Sequence, residues 1–319
     1  MEMIRLNPVF KDYLWGGVRL REQYNKDCAY DKVAESWELA VHKDGTNTVG
    51  SGPDAGMPLD RYLKKQGDAC LGARAAAFDF FPVLIKLIDA KDPLSIQVHP
   101  SDEYALAHEG EYGKTEVWYI VDAEPGSFLY FGLNRTVTPE EFKRRIQDNT
   151  ILEILNKVEV KPGEIYFIPS GTIHAIGAGI LICEIQQNSN LTYRVYDYDR
   201  RDKDGNPREL HVEKALKVAS MEKLDLAPQG ARSAGAQGGI KTPIADGKYF
   251  ASTHYTVGEK CDLPADPGSF THLLFLDGAG SVRYDGASLD FQKGDSFLVP
   301  AGTGAIAVKG RCQFVATTV

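Results

Sequence analysis

Cysteine is scarce in this sequence, five in 319 residues, and Cys28, Cys70, Cys183, Cys261 and Cys312 stand far apart. No pair has CxxC spacing, and an odd, scattered set is no secreted disulfide framework, so free thiols in a reducing, cytoplasmic compartment are expected. Dense runs of Lys and Arg are also missing, and the formal charge is −8. That excludes an extended nucleic-acid or anionic-membrane surface, although a few placed cations could still hold a small phosphate. No apolar run approaches a membrane span, and the opening "MEMIRLNPVFKDYLWGG" lacks the charged-then-apolar pattern of an export signal. What remains is a globular composition, 43% hydrophobic and 25% charged, on a chain long for a single core.

Short apolar runs bounded by Gly, Pro, Asn and Asp fill much of that length: "FFPVLIKLIDA", "EVWYIVDA", "SFLYFGL", "EIYFIPSG" and "LICEIQQ", then "YFASTHYTV", "THLLFLDGAGSVRYDG" and "GRCQFVATTV". Their length and their β-branched and aromatic content predict strands, and the lack of βαβ alternation predicts antiparallel sandwiches or jelly rolls. Helices are expected in "MPLDRYLKKQG" with "ARAAAFD", in "TPEEFKRRIQDNTILEILNKV" and in "ELHVEKALKVASMEKL". In the second, Thr138 is a good N-cap, Pro139 sits at the first helical position and Glu141 completes a capping box. The Gly/Ala/Gln stretch Ala227 to Gly239 reads as a linker. The expected division is residues 1–240, a β-domain with a helical insertion, and residues 241–319, a smaller β-domain.

One phrase occurs twice. "VKPGEIYFIPSGTIHAIGAG" from Val160 returns as "FQKGDSFLVPAGTGAIAVKG" from Phe291, with Gly163 over Gly294, Pro169 over Pro300, Gly171 over Gly302 and Thr172 over Thr303. His174, however, falls opposite Ala305. A strand–turn–strand phrase of this kind aims the first residue of its second strand into a jelly-roll interior, which predicts an inward His174 and an inward Ala305. A lone inward histidine is more often a hydrogen-bonded core residue than a ligand. Partners lie upstream: Gln97 and His99 are two apart on a strand-like run and so share a face, and Lys114 and Glu116 repeat that spacing at the start of the next strand. Two histidines and a carboxylate suit zinc with a position left for substrate, and suit iron(II) or manganese equally. Gln97 could be a fourth ligand or orient one. His42, His108, His211, His254 and His272 have no such neighbours, and Tyr193, Tyr196 and Tyr198 read as strand packing.

The blocks "PLSIQVHP", "GKTEVWYI", "FIPSGTIHAIG" and "QNSNLTYRVYDYDR", in this order, together with "YLWGG" and "ESWELA", resemble the type I mannose-6-phosphate isomerases, zinc-dependent cupins. They cover most of residues 5–215, and the short length resembles the compact bacterial branch. The resemblance implies a mainly β fold of two cupin-like jelly-roll barrels, the second lacking metal ligands. It implies one zinc ion per chain held by His99, Glu116 and His174 with Gln97 completing the set, a catalytic Arg194, and a pocket lysine at Lys114. Trp15 and Glu38 match pocket-wall positions. The brevity of the insertion departs from larger relatives and leaves open any phosphate contact made there.

The implied reaction interconverts mannose 6-phosphate and fructose 6-phosphate by moving a proton between C2 and C1 through a cis-enediol(ate). Lys114, Glu38 and a metal-bound hydroxide are all candidate bases. Lys86, in "PVLIKLIDA", is either a phosphate cation or a lysine on a half-buried strand. Two other readings share the ligand set: an iron or manganese cupin oxygenase, and a non-catalytic sugar-phosphate sensor. Lys114 and Arg194 suit an anionic sugar better than dioxygen, and a sensor has no need of a complete metal set plus a pocket arginine. The partner expected in every case is a small molecule, and no sequence feature fixes an oligomeric state.

Overall fold

The structure, a computed structural model, describes residues 1–201, 205–226, 234–236, 239–302 and 304–319. Strands dominate it, as the turn-bounded apolar runs predict, and the chain forms two compact units. One gathers both ends of the chain, residues 1–11, 18–87 and 231–319; the other is residues 12–17 and 88–230. The two chain ends meet in the strand Ile4–Asn7, which pairs with Ser296–Val299, Ile4 opposite Leu298 and Leu6 opposite Ser296.

In the unit that holds both termini, the long strand Thr271–Tyr284 pairs at one end with Cys312–Thr318 and Ser296–Val299, and at the other with Ala287–Gln292 and Ala305–Lys309. A register break between Phe275 and Asp277 marks the bend. The side chains enclosed are apolar: Phe275, Phe291, Phe297, Phe314, Val282, Ile306 and Val308 belong to one buried cluster. The Phe275 and Phe291 rings stack with centroids 3.6 Å apart. Most of the expected linker, Ala227 to Gly239, lies outside the described residues, as does Thr303. Within that stretch Ala234–Ala236 is an edge strand on Gly239–Asp246. The helices Leu59–Gln66 and Ala73–Ala76 fall where the first helical stretches are expected, and a further short helix, Asp68–Leu71, lies between them.

The other unit is a jelly roll. One sheet runs Leu155–Glu159, Phe128–Leu133, His174–Ile176, Ile96–Val98, Tyr193–Tyr196 in spatial order. Glu116–Ala123 pairs on its two sides with Ile165–Ile168 and Ile180–Gln187. The period of two along a strand gives each face of the five-stranded sheet its own task. Ile96, Val98, Ala175, Tyr193 and Val195 pack on Phe142, Ile146 and Ala215 of the helices Pro139–Gln147 and Val212–Val218. The alternate residues Gln97, His174 and Arg194 take the other face. Thr138 caps its helix as expected, its Oγ1 accepting from the Glu141 amide at 3.1 Å, while the Glu141 carboxylate is taken by Arg135 and Arg145. The helix is shorter than expected. It stops at Gln147, Asn149 turns left-handed (φ 56°), and "LNKVE" continues as a strand.

Candidate metal centre and active site

Strand register assembles the site. His174 stands opposite Gln97, and Gln97 opposite Arg194, so three neighbouring strands place these side chains in one row. His99 follows Gln97 by two residues on the same side. Across the roll, Glu116 is registered with Gln186, and Trp118 with Glu184. The two faces meet where the Trp118 ring packs edge-on against His174, centroids 5.3 Å apart at 81°. The repeated turn closes the arrangement: Thr172 donates to the Pro169 carbonyl at 3.2 Å, and the Gly171 amide donates to the His99 carbonyl at 2.8 Å. Gly171 has φ +84°, and an added Cβ would come within 2.9 Å of the Val218 carbonyl, so glycine is required there.

His99, Glu116 and His174 converge. The two Nε2 atoms are 3.2 Å apart, and Glu116 Oε1 lies 3.2 Å from His174 Nε2 and 3.7 Å from His99 Nε2. All three residues are at most 1% exposed. His99 Nδ1 faces the Leu191 carbonyl at 2.7 Å, and His174 Nδ1 faces the Thr172 carbonyl at 2.9 Å. A ring nitrogen facing a carbonyl carries the proton, so both Nε2 atoms present lone pairs. Burial, with the Lys114 ammonium adding to it, lowers His174 to about 3 and keeps the ring neutral. Two lone pairs and a carboxylate oxygen pointed at one another in a buried space repel unless a cation lies among them. The donor set fits a divalent metal ion. The Gln97 amide comes within 3.4 Å of His174 Nε2, and a half-turn of that amide offers Oε1 to the same point.

Lys114 Nζ lies 2.9 Å from Glu116 Oε2 and 3.6 Å from Glu184 Oε1, with both carboxylates almost wholly buried. Glu184 lies in "LICEIQQ", which reads as an apolar strand; the signal in the sequence is a lone glutamate in the middle of that run, and the structure buries the whole strand. Arg194 Nε donates to Ser95 Oγ at 3.3 Å, and a terminal nitrogen donates to the Glu209 carbonyl at 2.8 Å. Burial and the neighbouring Arg208 lower its pKa, yet a guanidinium stays charged at any working pH. His211, which has no ligand-spaced neighbours in the sequence, accepts the Arg194 amide proton on Nδ1 at 3.2 Å.

Three other expected site residues have different partners. Trp15 is 4% exposed and packs with Tyr13, ring centroids 5.7 Å apart; no described contact joins it to the cluster. Glu38 belongs to the unit with both termini, where Lys26 Nζ at 2.7 Å and Ser36 Oγ at 2.6 Å hold its buried carboxylate. Lys86 is in that unit too, 3.6 Å from Glu35 Oε2 and over the Trp37 ring at 5.3 Å. The second copy of the phrase repeats the turn ahead of its first strand, with Gly294 at φ 93° against 90° for Gly163, but Gly302 lacks the positive φ of Gly171. But Ala305 is exposed, because Ile306 and Val308 take the inward positions of its strand. The copies are one residue out of step there.

A jelly roll carrying two histidines and a glutamate on facing strands, with lysine and arginine beside them, is the metal-binding form of the cupin fold. Residues 3–119 match the family model of the phosphomannose isomerase type I catalytic domain, and residues 240–319 match that of the mannose-6-phosphate isomerase cupin domain. The probable mannose-6-phosphate isomerase GmuF of Bacillus subtilis (strain 168) is 37% identical over 97% of each chain, and the mannose-6-phosphate isomerase ManA of that strain 35% over 98% of each. The crystal structure of the mannose 6-phosphate isomerase from Bacillus subtilis aligns over all of both chains with a TM-score of 0.92 at 34% identity. The chain belongs to the type I mannose-6-phosphate isomerase family.

Proposed function

We propose that this protein interconverts D-mannose 6-phosphate and D-fructose 6-phosphate, with one Zn²⁺ held by His99, Glu116 and His174 and by Gln97 through its amide oxygen. The observation that carries the reading is the buried convergence of two imidazole lone pairs and a carboxylate, with Lys114 beside it and Arg194 in the same cross-strand row. When bound, the ion supplies a Lewis acid that polarises the substrate carbonyl and stabilises negative charge on oxygen, without redox change. Arg194 brings a fixed donor fork to the oxygen that gains charge at C1 or C2. Lys114, between Glu116 and Glu184, is placed to take part in the proton transfer from C2 of mannose 6-phosphate to C1, while the O2 hydroxyl proton passes to O1. Glu38 is left out of this step because Lys26 and Ser36 occupy its carboxylate. Burial around the cluster keeps bulk water from the enediolate.

The reducing, cytoplasmic setting is supported by five free cysteines. Among the described residues, no helix is long and apolar enough to cross a membrane. The test is a coupled isomerase assay on mannose 6-phosphate, before and after chelation and again after zinc is restored. Activity should vanish and return. Full activity in verified metal-free protein, or turnover that consumes dioxygen, would overturn the reading.

A further inference from the structure

The Arg194 guanidinium has two acceptors, Ser95 Oγ and the Glu209 carbonyl, 114 residues apart in sequence if counted between them. Both belong to segments tied to one carboxylate. Asp197, 6% exposed at its side chain, accepts from Arg208 twice, Nε to Oδ2 at 2.7 Å and a terminal nitrogen to Oδ1 at 2.5 Å. Arg208 is the residue before Glu209. Asp197 Oδ1 also accepts from Arg200 at 2.5 Å, and the other terminal nitrogen of Arg200 donates to the Pro93 carbonyl at 2.5 Å. Pro93 lies two residues before Ser95. The segment after Arg208 is then zipped along Arg194: the His211 amide donates to the Arg194 carbonyl at 2.7 Å, and the Arg194 amide donates to His211 Nδ1 at 3.2 Å.

The turn that presents Asp197 is itself costly. Tyr198 and Asp199 are consecutive non-glycine residues in the left-handed region, φ 56° and 52°. Such residues persist where the surroundings hold them, and they gather at functional sites. Here Arg200 lies over the Tyr198 ring at 5.2 Å, which binds the turn to the clamp. Burial alone would raise the Asp197 pKa, but the bonds from Arg208 and Arg200 outweigh it and hold the carboxyl below its ordinary range. A buried aspartate needs one arginine for charge balance. Two arginines, each leading to a different acceptor of a third, point to a positioning task.

We propose that Asp197 is a positioning residue for the isomerase site, aiming the Arg194 guanidinium through Arg208 at Glu209 and through Arg200 at Pro93 and Ser95. The importance of that aim for turnover rests on the isomerase reading; the chain of contacts does not.

The experiment uses full-length, metal-loaded protein and compares Arg208→Gln, Asp197→Asn, Arg194→Ala and the double variant Arg194→Ala/Arg208→Gln. A guanidinium displaced by about an ångström lowers kcat roughly 10- to 10²-fold with KM nearly unchanged. Arg208→Gln should do this in the parent and cost nothing further once Arg194 is alanine. Equal losses with and without Arg194 would make the clamp merely structural. A raised KM with kcat intact would mean that Arg208 touches the substrate itself. The second readout does not use activity: the Arg194 Nε–H signal in the ¹⁵N NMR spectrum should move towards that of a solvent-exposed arginine in Arg208→Gln and in Asp197→Asn. An unmoved signal overturns the proposal even if the parent proves to have no isomerase activity. Should Asp197→Asn fail to fold, Arg208→Gln and Arg200→Gln decide the question by the same signal.

Discussion

His174 and His272 are both fully buried imidazoles lowered to about 3, and what surrounds each ring separates their roles. His174 directs Nε2 at His99 and Glu116, so His174→Ala should reduce bound metal, measured by elemental analysis, from about one per chain to a small fraction while the far-ultraviolet circular dichroism persists. His272 sits between Leu298 and Thr317 in its sheet, in the unit with both termini. Burial lowers it, the Glu38 carbonyl opposes that weakly, and Lys26 adds to it. A histidine whose folded pKa lies below its unfolded value leaves stability intact above about 6.5 and removes it as pH falls from there towards 3. The expected slope in the middle of that window is about 1 kcal/mol per pH unit. Urea midpoints from pH 7 to pH 4.5 check it, with His272→Leu flattening the slope by one proton's worth relative to the parent. Parallel curves for the two proteins would assign the acid lability elsewhere.

At the scale of single elements, the strand–turn–strand phrase shows what local pattern does and does not reveal. Its two strands, the paired spacing of Gln97 and His99, and the start of the helix at Thr138 are legible because each depends on neighbours a few residues away. The end of that helix is not, since "NTILEILNKV" carries an apolar spacing compatible with helix or strand, and the left-handed Asn149 decides. The pairing of Glu184 and the reach of the Asp197 clamp are illegible for another reason: Lys114–Glu184 and Arg200–Pro93 join residues 70 or more apart in sequence. The one-residue offset at Ala305 likewise comes from pairing with Lys260–Pro264 rather than from the phrase. It decides what substitution there should do. Ala305→His, on an exposed position, should change stability by less than about 0.5 kcal/mol and add no metal to whatever the parent binds. Gly171→Ala, at φ +84° with the Val218 carbonyl 2.9 Å from the new Cβ, should lose roughly 1–3 kcal/mol and weaken metal binding by loosening His99 from His174. Denaturant titration of the two variants side by side, with zinc content, tests both; a Gly171→Ala protein as stable as the parent would remove the turn from the account.

For the whole molecule, the decisive fact is that the chain returns to its beginning. The match of residues 240–319 to a cupin-domain model suggests a module that could stand alone. The contacts argue otherwise. Ile4–Asn7 supplies the strand beside Ser296–Val299, and Arg5 Nη1 bonds Asp295 at 2.6 Å while its guanidinium lies over the Phe297 ring at 5.1 Å. Arg74 bonds Asp266 and, at 2.7 Å through Nε, the Val319 carbonyl. Lys26 reaches the Gly294 carbonyl, and Ser296 Oγ donates to the Glu38 carbonyl at 3.0 Å. Cutting at residue 240 therefore strips a strand from the C-terminal barrel, bares the edge of Ser296–Val299 and leaves buried polar groups without partners, each worth about 1–3 kcal/mol. Against a typical domain stability of about 5–15 kcal/mol, several such losses suffice to unfold it. Residues 240–319 expressed alone should give a poorly dispersed NMR spectrum or aggregate, and full-length protein lacking residues 1–7 should melt several degrees lower than the parent while keeping its metal. A fragment 240–319 that folds cooperatively, with dispersed amide signals and a sharp thermal transition, would show that the N-terminal strand decorates this barrel rather than completing it.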